Sequence, residues 1–441
     1  MANAGSARGM IAVDKMGGKV LFLNPDTYET EVVLEGFPRT VHELLVVPET
    51  GLAYVPIFGD GVHGRNPNPH HLLCVFDLEQ RAHVGDIDLR PYIAPHTLKL
   101  GPDGLIYITC ENSAVVAVID RQSRKVVDAI DSGSTNGHRL IIAPDGQRLY
   151  TENEEDGTVS VIDLPGRKLL GKIKAPRPLA GIAISADGAT VVAVDDAQPA
   201  LFLIDTQAGC ARDEVRLEGV PKAAQIARYS PDSSMIGVTS LNSDTVSLID
   251  PSFRQQTAIK VGSQPMDMAF RGDELFVACQ GDGSVHVIDI AGRRWKQSFR
   301  AGTGCECFVS FSSPARSGDC KVLVAPVSPT KFRQIGGSCS RSFNGVVGAW
   351  FNAQLARSAP ACSQGDSDEK DARRFARGCD DRRHLGRHCN GRLRPVARPR
   401  LGMERRRMGS RRCRRRHRRR DCRRRHHCVA TARLCGVSRL R

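Results

Sequence analysis

No stretch of the 441-residue chain approaches 18 consecutive apolar residues, which excludes a membrane-spanning helix. Met1 to Gly9 hold no apolar segment of the kind a secretory signal needs. The chain as given is therefore expected to carry no signal peptide. That makes the cytoplasm the default compartment, with export the alternative if translation starts upstream. The Gly-x-Ser-x-Gly turn of a nucleophilic serine and the phosphate-cradling P-loop are both missing. Pairing signals among the cysteines are missing too. Five of the 15 precede residue 306, namely Cys74, Cys110, Cys210, Cys279 and Cys305, with no Cys-x-x-Cys among them. They read as buried free thiols, neither a disulfide framework nor a zinc knuckle.

The formal net charge of +15 hides a split. Residues 307–441 hold 34 Lys and Arg against 9 Asp and Glu, a net +25, and the other ten cysteines. The rest of the chain keeps 29 basic and 39 acidic residues, a net −10. Blocks such as residues 411–420 and 423–428 repel themselves and would attract polyanions by charge alone. No aromatic residues are interleaved with them, and beyond Phe351 the only one is Phe375, so no specific nucleic-acid site is expected. Arg, Cys, Ala, Gly and Pro together are also what a GC-rich gene yields when read out of frame. Residues 312–441 are accordingly expected to form a disordered basic tail, out of frame in origin and without function; a genuine basic arm is the alternative.

What is present is a repeat. A phrase of β-branched and apolar residues closing on Ile-Asp or a variant ends at Asn24, Asp77, Asp120, Asp163, Asp205, Asp250 and Asp289, with spacings of 53, 43, 43, 42, 45 and 39. Between these ends fall Pro-Asp-Gly turns or their relics, at Pro48, Pro102, Pro144, Ala186, Pro231 and Gly272. Each unit carries four short runs of alternating apolar character, as in residues 149–152, 158–163, 168–173 and 181–185, and alternation with β-branched enrichment marks strands. Four strands in 40–45 residues make a propeller blade. Seven units predict an all-β, seven-bladed β-propeller of four-stranded blades over residues 1–311, almost without helix. The chain starts on a second strand, near residues 9–14, and should end on a first strand near residues 305–311, closing the ring. Because the repeat's punctuation stops after Glu306, that closing strand is expected to be truncated or replaced by Phe308–Phe311, and its seam the weakest.

Gly157-Thr-Val-Ser-Val-Ile-Asp163 and Ile182-Ala-Ile-Ser-Ala-Asp-Gly188 resemble the 40-residue YVTN repeat of lactonase-like propellers, and the likeness runs over residues 9–306. It implies a ring whose members serve as hydrolases, dehydrogenase subunits, surface antigens or binding scaffolds.

Strand order assigns the faces. With the inner strand starting at the top, the turns between second and third strands also lie on top, and the Pro-Asp-Gly and Ile-Asp turns lie below. The repeated aspartates then serve their own turns. Six residues before the turn proline, on three consecutive inner strands, stand His42, His96 and His138, where the other blades have Ala180, Gln225, Met266 and Cys305. These imidazoles should meet at one side of the channel mouth. A long loop over residues 59–71 brings His63, His70 and His71 to that face, and Glu111 and Glu152 end the second strands of the next two blades. Clustered imidazoles and carboxylates suit a divalent transition metal, zinc first, which can polarise a carbonyl or activate water. Glu43 and Arg139, each next to a ring histidine, should by alternation point into the blade or to solvent. The function expected is a monomeric scaffold that binds a metal, small molecule or protein at the top face. A metal-assisted, lactonase-like hydrolase using the same histidines is the alternative.

Overall fold

The structure is a computed structural model and describes residues 7–38, 40–60 and 66–313. It holds seven four-stranded antiparallel sheets arranged as the blades of a β-propeller. From channel outwards, blade 2 runs Leu45–Val47, Leu52–Pro56, Leu72–Asp77 and Ala82–Asp88. The inner strands of blades 3 to 7 are Pro95–Leu100, Gly137–Ile142, Leu179–Ile184, Ile226–Tyr229 and Pro265–Arg271. Blade 1 takes its outer three strands from the chain start, Ala7–Asp14, Lys19–Leu23 and Thr30–Leu34, and its inner strand, Cys305–Ser313, from beyond blade 7. Among the described residues the helical content is three 3-10 turns.

Alternation along each strand builds the core. Met10 and Ala12 pack with blade 7, whereas Ile11 and Val13 pack with blade 2. Seven apolar clusters result, one between each pair of neighbouring blades. A blade buries its two faces only against its neighbours, so the ring stands or falls as a closed set.

The closing strand forms where the sequence places it, with Phe308–Phe311 in it, but it is not truncated: at nine residues it is the longest strand described, and it pairs with Ala7–Asp14 from Ala7↔Ser313 to Asp14↔Cys305. Cys307, Phe308 and Phe311, which lie past the last repeat punctuation, are buried in the two adjoining clusters. Gly9 faces the Phe311 ring, and a Cβ there would stand 2.6 Å from it. The Asp14 carboxylate pins the approach, accepting the backbone N–H of Gly17, Thr303 and Gly304 at 2.8–2.9 Å.

The repeated Asp/Asn side chains do serve their turns. Asn24, Asp77, Asp120, Asp205, Asp250 and Asp289 each accept backbone N–H groups two or three residues on, the Asx pattern. Cys74, Cys110, Cys279 and Cys305 are buried free thiols, but Cys210 is exposed on the outer strand Cys210–Arg216. That outer strand lies mostly open to solvent on the rim. No helix among the described residues is long and apolar enough to cross a membrane. The expected tail from residue 312 lies outside the described residues but for Ser312 and Ser313.

Candidate functional site

A recurrent irregularity builds the channel mouth. The inner strands of blades 3, 4, 5 and 7 each shift register at their start, between Pro95/Leu98, Gly137/Leu140, Leu179/Gly181 and Pro265/Asp267. Such a bulge re-aims side chains that strict alternation would send to opposite seams. In blade 2 a left-handed residue, Glu43 with φ of 44°, does the same.

The imidazoles of His42, His96 and His138 stand in a row, with centroids 4.1 Å apart at each step. All three are buried. The Phe58 ring stands edge-on to His42 and His96 at 5.7 and 5.6 Å, forming an apolar wall. Each imidazole has its own carboxylate. His42 Nδ1 lies 3.0 Å from Glu306 Oε1. His96 Nε2 lies 4.0 Å from Glu111 Oε1. His138 Nδ1 lies 2.7 Å from Glu152 Oε1 and 3.5 Å from Glu154 Oε2. Lys15, Glu111, Glu154 and Gln280, all near turns between second and third strands, sit on this mouth, so those turns and the inner-strand starts share one face, as strand order predicts.

The three histidines differ in electrostatics. Lys15 Nζ lies 3.3 Å from His42 Nε2 and 3.4 Å from Glu306. Lysine can only donate, so His42 Nε2 accepts, while Nδ1 lies against both the Glu306 carboxylate and the Glu43 backbone N–H. The Glu306 carboxylate also accepts from the Gln280 amide. Burial pushes Glu306 up, but Lys15, His42 and Arg139 outweigh it and hold the carboxyl far below its usual range. His96 is different: burial, then the neighbouring His138 and His42, hold it well below the ordinary imidazole value. It stays neutral at physiological pH, its Nδ1 3.1 Å from Thr97 Oγ1. At His138, donation of Nδ1–H to Glu152 places the lone pair on Nε2.

Two sets of ligand atoms lie within 4.8 Å of one another here: His96, Glu111 and His138, and His42, Glu43 and His96. In the second set the Lys15 ammonium already stands at His42 Nε2, where a cation would be. The first set is two imidazoles and a carboxylate, the donor set of a metal site with an open position. Shifts of about 1 Å would bring its atoms to a shared ion at ~2.1 Å.

Below the row lies a second storey of charge. Glu43 and Arg139 do not point into the blade or to solvent; they form a buried ion pair reaching from blade 2 to blade 4. Arg228 binds Asp267 with two parallel hydrogen bonds of 2.6 and 2.8 Å. Lys99, at the same register position as Arg228, completes the set, and burial, reinforced by Arg228, pushes its ammonium down to about 8. Because this pKa falls below the unfolded value of 10.5, the folded state resists the charged form. The penalty is on the order of 3 kcal/mol, reduced by water in the channel. Lys99→Met should therefore stabilise the protein at pH 7 by about 1–2 kcal/mol and remove the gain in stability that the wild type shows between pH 8 and 10.5. Urea unfolding across that range is the measurement.

Of the residues singled out in the sequence, His42, His96, His138, Glu111 and Glu152 come together at the mouth. His70 and His71 stack on each other at 5.0 Å, and His71 Nδ1 lies 3.0 Å from Asp88 on the outer strand. Their loop is fastened at its base by the Gly59↔Pro69 bridge. His63 lies outside the described residues. Lys15, Glu154 and Gln280 escape sequence reasoning. Glu306 had a signal: it holds the same position, one past the histidine register, as Glu43, Arg139 and Asp267.

Neither a protein-family model nor a curated protein matches the chain. Among solved structures, a chain of Kuenenia stuttgartiensis hydrazine synthase is similar over 63% of this chain and 96% of that one, with a TM-score of 0.51 and 16% sequence identity. At that identity the likeness is one of fold, and what the two chains share is the β-propeller.

Proposed function

We propose that this chain is a YVTN-type propeller whose channel mouth holds a divalent transition metal, zinc by its donor set, and through it a small ligand. His96, His138 and Glu111 are the ligands. Glu152 orients His138 and raises its basicity. His42 belongs to the neighbouring Lys15–Glu306 network and borders the bound molecule. One observation carries the reading: a buried, neutral His96 lies between a second imidazole and a carboxylate, all within 4.8 Å. One carboxylate and two imidazoles gathered this closely are a donor set that a divalent transition metal fits.

The test is metal content by mass spectrometry on the purified full chain after equilibration with zinc and desalting. His96→Ala together with His138→Ala should lose one equivalent relative to the wild type, and either change alone most of it. Glu152→Gln should retain the metal but weaken its binding by about 10–100-fold. Equal metal content in wild type and double variant would end the proposal. The three-ligand set with an open position also favours a second reading, a metal-assisted lactonase-like hydrolase. Lactone turnover that disappears on chelation and returns with zinc separates that enzyme from a binding scaffold.

A further inference from the structure

A second constellation of metal-ligating side chains lies away from the mouth, on the outer half of blade 2. In six blades the third and fourth strands are joined through a bulge. In blade 2 it falls between Val75 and Phe76, so that Cys74 pairs with Asp86 while Phe76 pairs with His83. Residues opposite each other in a ladder share a face, and the extra residue brings His83 to that face as well. Blades 3 and 4 put Ala117, Val126, Ala129 and Ser160, Leu169, Lys172 at the same three positions. The bulge is common to the fold; the Cys–His–Asp set on it is not.

The geometry is that of a small site. His83 Nε2 lies 2.8 Å from Asp86 Oδ1. The Cys74 sulfur and one ligand atom each from His83 and Asp86 lie within 4.8 Å of one another. The His83 ring is held between Phe37 and Phe76, 5.4 Å from each. Cys74 is 4% exposed, whereas His83 and Asp86 are open to solvent and offer the way in. Burial pushes Asp86 up, but the hydrogen bond and charge of His83, then Cys74 and His70, hold its carboxyl low, so it is ionised at neutral pH.

We propose that Cys74, His83 and Asp86 form a second divalent-metal site, independent of the mouth, that takes zinc or cobalt through one thiolate, one imidazole and one carboxylate with a fourth position open. Mixed sulfur, nitrogen and oxygen donors in a three-residue set favour these ions over magnesium or calcium. Binding displaces the thiol proton, whose pKa burial beside Asp86 raises.

Cobalt(II) titration of the full chain reads this site specifically, because a thiolate ligand gives a near-ultraviolet sulfur-to-cobalt charge-transfer band that the mouth ligands cannot give. The cysteines beyond residue 313 contribute equally to every variant, so differences isolate Cys74. Wild type minus Cys74→Ser should show the band at one equivalent of cobalt, and His83→Ala should lose the same equivalent. Asp86→Asn, an exposed change that leaves the core packing intact, should weaken binding with the fold retained. Cys210→Ser, an exposed thiol outside the set, and the His96→Ala/His138→Ala double variant should keep the band in full. Identical bands and stoichiometry in wild type, Cys74→Ser and Asp86→Asn would overturn the proposal. Failure of the mouth reading appears separately, as unchanged metal content in the double histidine variant.

Discussion

A chain stopped after Gly304 should fail to form a stable monomeric ring, whereas one stopped after Ser313 should unfold with the same midpoint as the full chain. The shorter chain loses the nine-residue strand Cys305–Ser313, which leaves blade 1 with three strands and exposes the edge of Ala7–Asp14 to other molecules. It also empties parts of the seams on both sides. Phe308 stacks on Phe276 at 5.5 Å and packs against Phe299, while Phe311 meets Phe22 edge-on at 6.3 Å. Removing one such buried ring costs about 3–5 kcal/mol, and here two go together with a full ladder of backbone hydrogen bonds. With the buried thiols of Cys305 and Cys307 added, the loss reaches the roughly 5–15 kcal/mol by which a domain is stable. Size-exclusion chromatography and circular dichroism of the two truncated chains decide it. A folded monomer from the chain ending at Gly304 would contradict the closure argument, and a lowered midpoint for the chain ending at Ser313 would assign residues 314–441 a stabilising role.

The blades were legible because each leaves two marks in sequence: period-2 alternation, and a turn that needs a particular side chain. Asp120 or Asp205 is identifiable for the second reason, since its carboxylate bonds its own turn. The closing strand has the first mark and not the second, which is why its place near residues 305–311 was legible and its full length was not. Cys305-Glu-Cys-Phe-Val-Ser-Phe311 alternates well enough to fill two seams, but nothing after it needs to turn back into a blade. The column of His42, His96 and His138 was legible from register alone. Their carboxylate partners were only half legible. Glu111 and Glu152 follow from strand ends, whereas Lys15 and Glu306 come from opposite ends of the propeller segment and meet only because the ring closes. Glu43 was misplaced because alternation assumes extended backbone, and a left-handed residue with φ of 44° carries no reliable mark in sequence when it is not glycine.

Glu43 is also where a single substitution should do most damage to stability without touching the apolar core. Its carboxylate and the Arg139 guanidinium are each about 5% exposed and bound to one another. Burial pushes Glu43 up, but Arg139, then His42, Arg228 and Lys99, pull it down to about 2 from the ordinary 4.5. A carboxyl whose folded pKa is depressed stabilises the protein above the unfolded pKa, and that contribution is lost as pH falls through the folded value. The Glu43 contribution is thus present at neutral pH, on the order of 3 kcal/mol, and should fade between about pH 4.5 and 2. Glu43→Ala removes it and strands Arg139 in a channel that already holds Lys99 and Arg228. Breaking a buried pair in this way costs about 3–5 kcal/mol. Arg139→Met leaves Glu43 buried without its nearest cation and should cost a similar amount, with the Glu43 pKa rising. The double change Glu43→Ala/Arg139→Met removes both charges and their desolvation together, so it should recover most of the loss, and the difference between the sum of the single changes and the double change gives the coupling. Urea midpoints for the four proteins at pH 7 and pH 4 measure it. If the two single changes cost under about 1 kcal/mol and simply add, the pair is no more than an exposed contact, and the channel is wetter than its burial indicates.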